Sequence, residues 1–179
     1  MNDAQAKGRR TLILIALMFA LPIVGAMYMY FSDTAIPVAN TAKGELIDPP
    51  VQLSEDTFKK VWTLLVASGN ECDQTCLDSL ISIRQVRLSL GPKMTRMQTV
   101  FLPGDAAAIR PGMTNDFPKL IVVKPDWSQQ TRAEMGAFDN GQIFLVDPLG
   151  NMMLSYPAET DMGDIRKDVA HLLKLSGIG

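Results

Sequence analysis

Residues 61–77 read VWTLLVASGNECDQTCL, and this stretch decides the predicted fold. Its first part, Val61 to Val66, is a largely apolar run with the length of a strand that is covered on both faces. A small polar loop follows and contains Cys72, while Cys76 opens a helical pattern that stops at Gly91-Pro92. The sequence therefore predicts a strand, a loop and a helix, with two cysteines where the loop meets the helix.

The two cysteines are the candidate reactive site. Asp73 or Thr75 can cap the helix, whose free N–H groups and dipole favour negative charge on Cys76. A thiolate attacks disulfides and binds soft metals, and a loop this short can bring both Cα atoms within disulfide range. Acidic residues flank the cysteines and no Lys or Arg lies within six positions, which disfavours the thiolate. The residues leave two interpretations open: a dithiol that exchanges electrons or holds Cu(I), or a permanent structural disulfide.

Strands and helices are predicted to alternate along the rest of the domain. Two helices are predicted at 127–136 and 164–175, each following one or more strands. The further strands are predicted at 97–102, 120–123, 143–146 and 152–156, the last two joined by a turn and antiparallel. This order predicts an α/β domain, a thioredoxin-like mixed sheet with flanking helices.

The N-terminal region predicts one transmembrane helix ahead of that domain. Residues 11–31 carry no charge, and 21 helical residues span roughly 30 Å, the thickness of a bilayer's hydrocarbon core. A cleaved signal peptide is the alternative, but its apolar region is only about 7–15 residues long. The sequence thus divides into a tail (1–10), the membrane helix, a linker (32–56) and the thioredoxin-like domain (57–179).

The charges around the apolar run set the expected orientation. Lys7, Arg9 and Arg10 precede it, and Asp33 is the first charge that follows. Positively charged flanks stay in the cytoplasm, so the tail is predicted to be cytoplasmic. The domain is then predicted on the periplasmic side of a bacterial inner membrane, where disulfides persist.

Composition excludes several functional classes. A net charge of -2 and a pI of about 5.4 give no basic surface of the kind that nucleic-acid binding requires. A single histidine, His171, excludes most zinc sites and is expected to be a solvated residue of the last helix. Seven methionines follow the linker; thioether sulfur could complete a soft Cu(I) site, although methionine more often fills a core.

Three stretches together resemble the Sco family: 61–66, the CDQTC loop at 72–76, and IFLVDPLG at 143–150. Sco proteins are membrane-tethered and thioredoxin-like, and are implicated in copper delivery to, and thiol reduction in, cytochrome c oxidase. The resemblance covers most of residues 45–176 and is closest to small single-pass proteobacterial proteins found with oxidase genes. It implies that Cys72 and Cys76 are catalytic and possible Cu(I) ligands. The implied partners are membrane lipid and a respiratory oxidase subunit or its assembly factors.

Three departures from related proteins qualify that resemblance. Asp139 stands where Sco proteins place a copper-binding histidine, so the histidine ligand is not matched. Asp-Gln-Thr replaces the proline usual inside the cysteine motif, and Asn140-Gly141 stand where thioredoxin oxidoreductases have a cis-proline. The first hypothesis is an oxidase assembly factor in which Cys72 is the more exposed attacking thiol and Cys76 the resolving one. The alternative is a non-catalytic interaction module with a structural disulfide.

Overall fold

The computed structural model describes residues 3–31, 41–123 and 125–178, which fall into two compact units. In the first unit the described residues form one helix, α1 (Asp3–Phe31). Within α1, Lys7–Met29 is long and apolar enough to cross a membrane, as the sequence predicted. Most of the predicted linker's first half, 32–40, lies outside the described residues.

The second unit, residues 41–179, contains six strands and four helices in its described part. In chain order these elements are β1 (Glu45–Gln52), β2 (Trp62–Ala67), α2 (Gln74–Ser89), β3 (Met97–Leu102), α3 (Met113–Asp116), β4 (Leu120–Val122), α4 (Pro125–Met135), β5 (Ile143–Val146), β6 (Asn151–Tyr156) and α5 (Met162–Leu175). Short 3-10 turns at 56–58, 91–96 and 106–108 lie between them.

The strands form one sheet in the order β1-β6-β5-β2-β3-β4. β2 pairs parallel with β3, and β3 pairs parallel with β4, whereas the other pairs are antiparallel. Every residue of β2 is buried, as expected for an apolar strand at the centre of a covered sheet. The predicted fold class, a mixed sheet with flanking helices, is confirmed.

Alternate residues of β2 pack into two separate apolar clusters, one on each face of the sheet. On one face Leu64 and Val66 share a cluster with α2 and α5, represented by Leu80 and Val169. On the other face Leu65 packs with residues of α4 and of the 53–58 segment, among them Leu53, Phe58 and Met135. The cysteines belong to the first cluster, so α2 holds them against the sheet.

Strand β1 lies in the stretch that the sequence assigned to the linker. The compact unit begins at residue 41 rather than 57, and β1 pairs antiparallel with β6. Pro49-Pro50 sit inside β1, and its register shifts between Leu46 and Val51. Proline is tolerated in an edge strand at such an irregularity, because the regular ladder pairing is interrupted there. The stretch therefore lacks the alternation by which a strand is recognised in sequence.

A buried carboxylate fixes the chain just before β1. The backbone N–H groups of Lys43 and Gly44 donate to Oδ2 of Asp168 at 2.7 and 2.9 Å, and the Tyr156 hydroxyl donates to the same oxygen at 3.0 Å. Asp168, on α5, is only 6% exposed. A Cβ atom on Gly44 would lie 2.5 Å from the Tyr156 ring, so only glycine fits. We call these four residues the Asp168 clamp.

Candidate active site

The start of α2 is built around an aspartate cap. Asp73 precedes the helix in an extended conformation, and its Oδ1 accepts a hydrogen bond from the Cys76 N–H at 2.9 Å. Of the two predicted caps, Asp73 is therefore the one that the structure uses. This bond satisfies one of the free N–H groups that begin a helix, and it fixes the backbone of Cys76 in the first turn.

The two cysteines are joined in a disulfide with their Cα atoms 5.2 Å apart. Cys76 is fully buried and Cys72 is only 5% exposed. The prediction that Cys72 is the accessible thiol of the loop is wrong, because its side chain is buried. Although Cys72 is the more exposed of the two, it packs into the apolar cluster beneath α2 between exposed acidic neighbours, Glu71 and Asp73.

Two arginines distant in sequence reach the loop that carries Cys72. Arg110 donates from Nη2 to the Cys72 carbonyl oxygen at 3.3 Å, across 38 residues. Arg132 donates from Nη1 to the Ser68 carbonyl oxygen, and its guanidinium lies 4.8 Å from the centre of the Phe138 ring. Of the two, Arg110 is the one that contacts a cysteine residue directly. No local sequence pattern predicts either contact, since only the fold brings these arginines to the loop.

The loop between β2 and Cys72 is held at Gly69. The Gly69 N–H donates to Oδ1 of Asn140 at 2.9 Å. A Cβ atom on Gly104 would lie only 2.0 Å from the Gly69 carbonyl oxygen, so the two backbones cross in direct contact. The cysteine loop is thereby tied to the loops that follow β3 and precede β5.

Gly141 packs directly against the start of α2. Its φ angle is +79°, and a Cβ atom there would lie 2.9 Å from the Cys76 Cα. Its N–H donates to the Ala67 carbonyl oxygen at the end of β2, at 2.8 Å. The sequence placed Asn140-Gly141 at the position of the thioredoxin cis-proline, and the structure brings this segment beside Cys76. A glycine is required here both for the backbone conformation and for the close approach.

The described residues offer Cu(I) two soft ligands. Reduction of the disulfide would free the thiolates of Cys72 and Cys76, which suit a soft metal. Asp139 and His171 are both exposed, and the described part of the chain contains no cluster of three or more His, Cys, Asp or Glu side chains arranged to hold a metal ion. Four methionines of the domain are core residues: Met97, Met113, Met135 and Met152. The donor set is thus smaller than the two cysteines and one histidine that the resemblance to Sco proteins implies.

Solved structures of Sco proteins share this fold. Apo Sco1 of Thermus thermophilus superposes with a TM-score of 0.56 at 16% identity, covering 77% of this chain and 98% of that chain. Arabidopsis thaliana ScoI with copper bound gives a TM-score of 0.52 at 16% identity, covering 75% and 100%. Yeast Sco1 gives 0.55 at 14% identity, covering 71% and 94%. At identities this low, the superpositions show a shared fold and nothing more. The predicted likeness to Sco proteins is confirmed at the level of the fold.

A thiol:disulfide interchange protein from Bacteroides sp. also shares the fold, with a TM-score of 0.50 at 14% identity over 74% of this chain and 91% of that one. No curated protein matches the sequence. Residues 62–176, well over half of the chain, match the family described as "Transmembrane-like, thioredoxin-like, C-terminal domain". The chain therefore belongs to this transmembrane-like, thioredoxin-like family.

Proposed function

We propose that this protein is a membrane-anchored thiol–disulfide reductant that serves the assembly of a respiratory cytochrome oxidase. One observation carries the proposal: the Cys72–Cys76 disulfide lies at the capped N-terminus of α2, directly after the central strand, in the fold of the Sco proteins. A disulfide between residues four apart at a helix start can open and close without rearranging the sheet. The structural similarity to a thiol:disulfide interchange protein supports the same chemistry.

The proposed reaction passes two electrons to a partner protein. In the reduced protein, the Cys72 thiolate attacks a disulfide of the partner, forming a mixed disulfide and releasing the partner's other sulfur as a thiolate. The Cys76 thiolate then attacks the Cys72 sulfur, which frees the partner's second thiolate. The partner ends as a dithiol and this chain ends with the Cys72–Cys76 bond. A second protein dithiol would reduce that bond again.

The surroundings of the cysteines support these roles. Cys72 retains the greater exposure, whereas Cys76, in the first turn of α2, is fully buried and bonded to it, as suits a resolving thiol. Helix N–H groups and the Arg110 guanidinium favour negative charge at this end of the domain. Because Cys72 is 95% buried, attack on a partner requires a local opening of the loop, which suits a slow, selective reductant.

Copper is the second part of the proposed role. Solved Sco proteins from Arabidopsis thaliana and Bradyrhizobium japonicum are described with copper bound. In this chain the reduced Cys72 and Cys76 would be the ligands, giving Cu(I) two thiolates. The thiol exchange above uses the same two sulfurs and does not depend on the metal.

The membrane orientation is part of the proposal. Lys7, Arg9 and Arg10 would hold the N-terminus of α1 in the cytoplasm, and the thioredoxin-like domain would lie in the periplasm. A periplasmic enzyme reporter fused after Gly179 should be active, and a cytoplasmic reporter at the same place should be inactive. The reverse pattern would contradict both the orientation and the redox role that depends on it.

Single cysteine variants test the chemistry. Cys76→Ser leaves the attacking thiol without its resolving partner, so the full-length variant in membranes should accumulate a mixed disulfide through Cys72. Cys72→Ser should trap nothing. Non-reducing electrophoresis of alkylated membranes, with the double variant as control, measures the adducts.

A purely structural disulfide is the alternative, and the burial of both cysteines favours it. It predicts no adducts in either variant and an equal loss of stability in both. Closing so short a loop contributes only about 2 kcal/mol in the chain-entropy model. A structural disulfide also predicts a reduction potential below about −300 mV for the Cys72–Cys76 bond. The absence of adducts together with such a potential would reject the proposed reductant.

A further inference from the structure

A groove lies between the first three turns of α2 and the 110–117 segment, and one of its lining residues, Arg110, contacts the Cys72 carbonyl. It has a volume of about 340 Å³, and four apolar side chains contribute to its lining: Leu77, Ile81, Met113 and Phe117. Met113 and Phe117 are buried at its base, while Ile81 is 43% exposed. The groove therefore joins the first turns of α2 to the short helix α3, and part of its apolar surface faces solvent.

Two arginines line the same groove, and neither has an acidic partner among the residues that the structure describes. Arg84 donates to the Asp116 carbonyl oxygen at 3.4 Å, and Arg110 donates to the Cys72 carbonyl oxygen. Within the described part of the chain, neither guanidinium forms an ion pair with a carboxylate within 4.0 Å. One acidic side chain, that of Asp116, also lines the groove. The lining thus carries two positive charges against one negative charge, in a protein that is acidic as a whole.

Arg110 connects this groove to the reactive end of the domain. It lines the groove and at the same time contacts the residue that would attack a partner disulfide. Gln74, in the first turn of α2, lies in the lining on the same side. A polypeptide whose disulfide is engaged by Cys72 would therefore have its adjacent residues at the mouth of the groove.

We infer that the groove docks a segment of the partner polypeptide that combines an apolar side chain with acidic residues next to the reacting disulfide. The apolar side chain covers Leu77, Ile81 and Phe117, and the acidic residues pair with Arg84 and Arg110. This inference rests on the proposed thiol–disulfide exchange, for which it names the partner's recognition sequence. The mixed disulfide with Cys72 remains the only covalent step.

Paired synthetic peptides test the docking. One peptide contains a disulfide flanked by Leu and two Glu residues, and its twin has Lys in place of both Glu. The reduced full-length protein in detergent reacts with each, and thiol exchange is followed by mass spectrometry. The acidic peptide should react about fivefold faster than its lysine twin, as two partly exposed ion pairs would give. The ratio of the two rates is an internal measure that cancels any change in the thiols themselves.

Charge reversal separates docking from a structural effect. Arg84→Glu should invert the preference, so that the lysine peptide reacts faster, whereas Arg166→Glu on the exposed side of α5 should leave the ratio as in the wild type. Equal rates for the two peptides with wild-type protein would overturn the docking inference. So would a reaction with glutathione disulfide as fast as with the acidic peptide, since that would indicate a site for small anions. Absence of exchange with every disulfide, small or peptidic, would instead reject the proposed function.

Discussion

The cysteine loop and the start of β1 are both held to the sheet across long sequence separations, but by opposite kinds of contact. At the cysteine loop, backbones meet where side chains are absent: Gly104 against Gly69, and Gly141 against Cys76. At the Asp168 clamp, one buried carboxylate accepts three hydrogen bonds. The first arrangement depends on the absence of side chains at Gly104 and Gly141, and the second depends on the carboxylate of Asp168. Loss of the charge should weaken the whole domain, whereas filling the space should disturb the disulfide locally.

The largest effect is expected for Asp168→Ala. Three donors would lose a charged acceptor in a site that is 6% exposed, so the free energy of unfolding should fall by about 3–5 kcal/mol. Denaturant unfolding of the full-length protein in detergent measures this loss. Asp164→Asn is the control, because Asp164 is a half-exposed residue of the same helix whose ion pair with the exposed Lys167 contributes little. Equal loss in both variants would show that the clamp does not stabilise the domain.

A pair of glycines tests the other arrangement. Gly141 and Gly136 have nearly the same positive φ, +79° and +77°, but only Gly141 faces close neighbours. Gly136→Ala should cost about 1 kcal/mol from backbone strain alone. Gly141→Ala should cost about 2–3 kcal/mol, because its Cβ would also displace the start of α2.

The reduction potential distinguishes local from general destabilisation in these two variants. Gly141→Ala should change the potential of the Cys72–Cys76 disulfide, measured by equilibration with dithiothreitol, since its Cβ meets Cys76. Gly136→Ala should leave it unchanged. A shift of equal size in both would mean that Gly141 does not position the cysteines.

The smallest effect concerns Tyr156, which links the Asp168 clamp to β6. Burial, the charge of Asp168 and the hydrogen bond to it raise the pKa of Tyr156 well above its ordinary value of 10.0. The unfolded chain therefore loses the phenolic proton first, so this contribution to stability is present below pH 10 and declines as pH rises above it. Tyr156→Phe should lose about 1 kcal/mol at pH 8 and show a shallower decline toward pH 11. If the stability of Tyr156→Phe declined with pH above 10 as steeply as that of the wild type, ionisation of the buried Tyr156 would not be the cause of the decline.

Much of the sheet was predictable because its strands carry strong local signals. β2, β3 and β5 are short apolar runs bounded by turns, and their positions match the predictions. β1 gave no such signal, since an edge strand with two prolines is recognisable only from its partner β6. The start of the folded domain is thus held in place by Asp168, which is distant in sequence, and no local pattern marks it.

The site was predictable only as far as its residues are neighbours in sequence. The spacing of Cys72 and Cys76 predicted that they could pair, and it offered Asp73 as one of two possible caps; the structure contains the pair and the Asp73 cap. The contact with Arg110 joins loops 38 residues apart, so no sequence window contains it. The same holds for the burial of Cys72, which depends on packing against residues from other parts of the fold.

The spacing of the cysteines also bears on how the protein matures. With two cysteines in the chain, one intramolecular pairing exists, and no isomerase is needed to correct it. Because the partners are four residues apart, they can also meet in an unfolded chain, where closing so short a loop costs little entropy. Oxidation can therefore precede, accompany or follow folding and still reach the same product. A new molecule would reach its oxidised form without proofreading, whereas its reduction would require an electron donor.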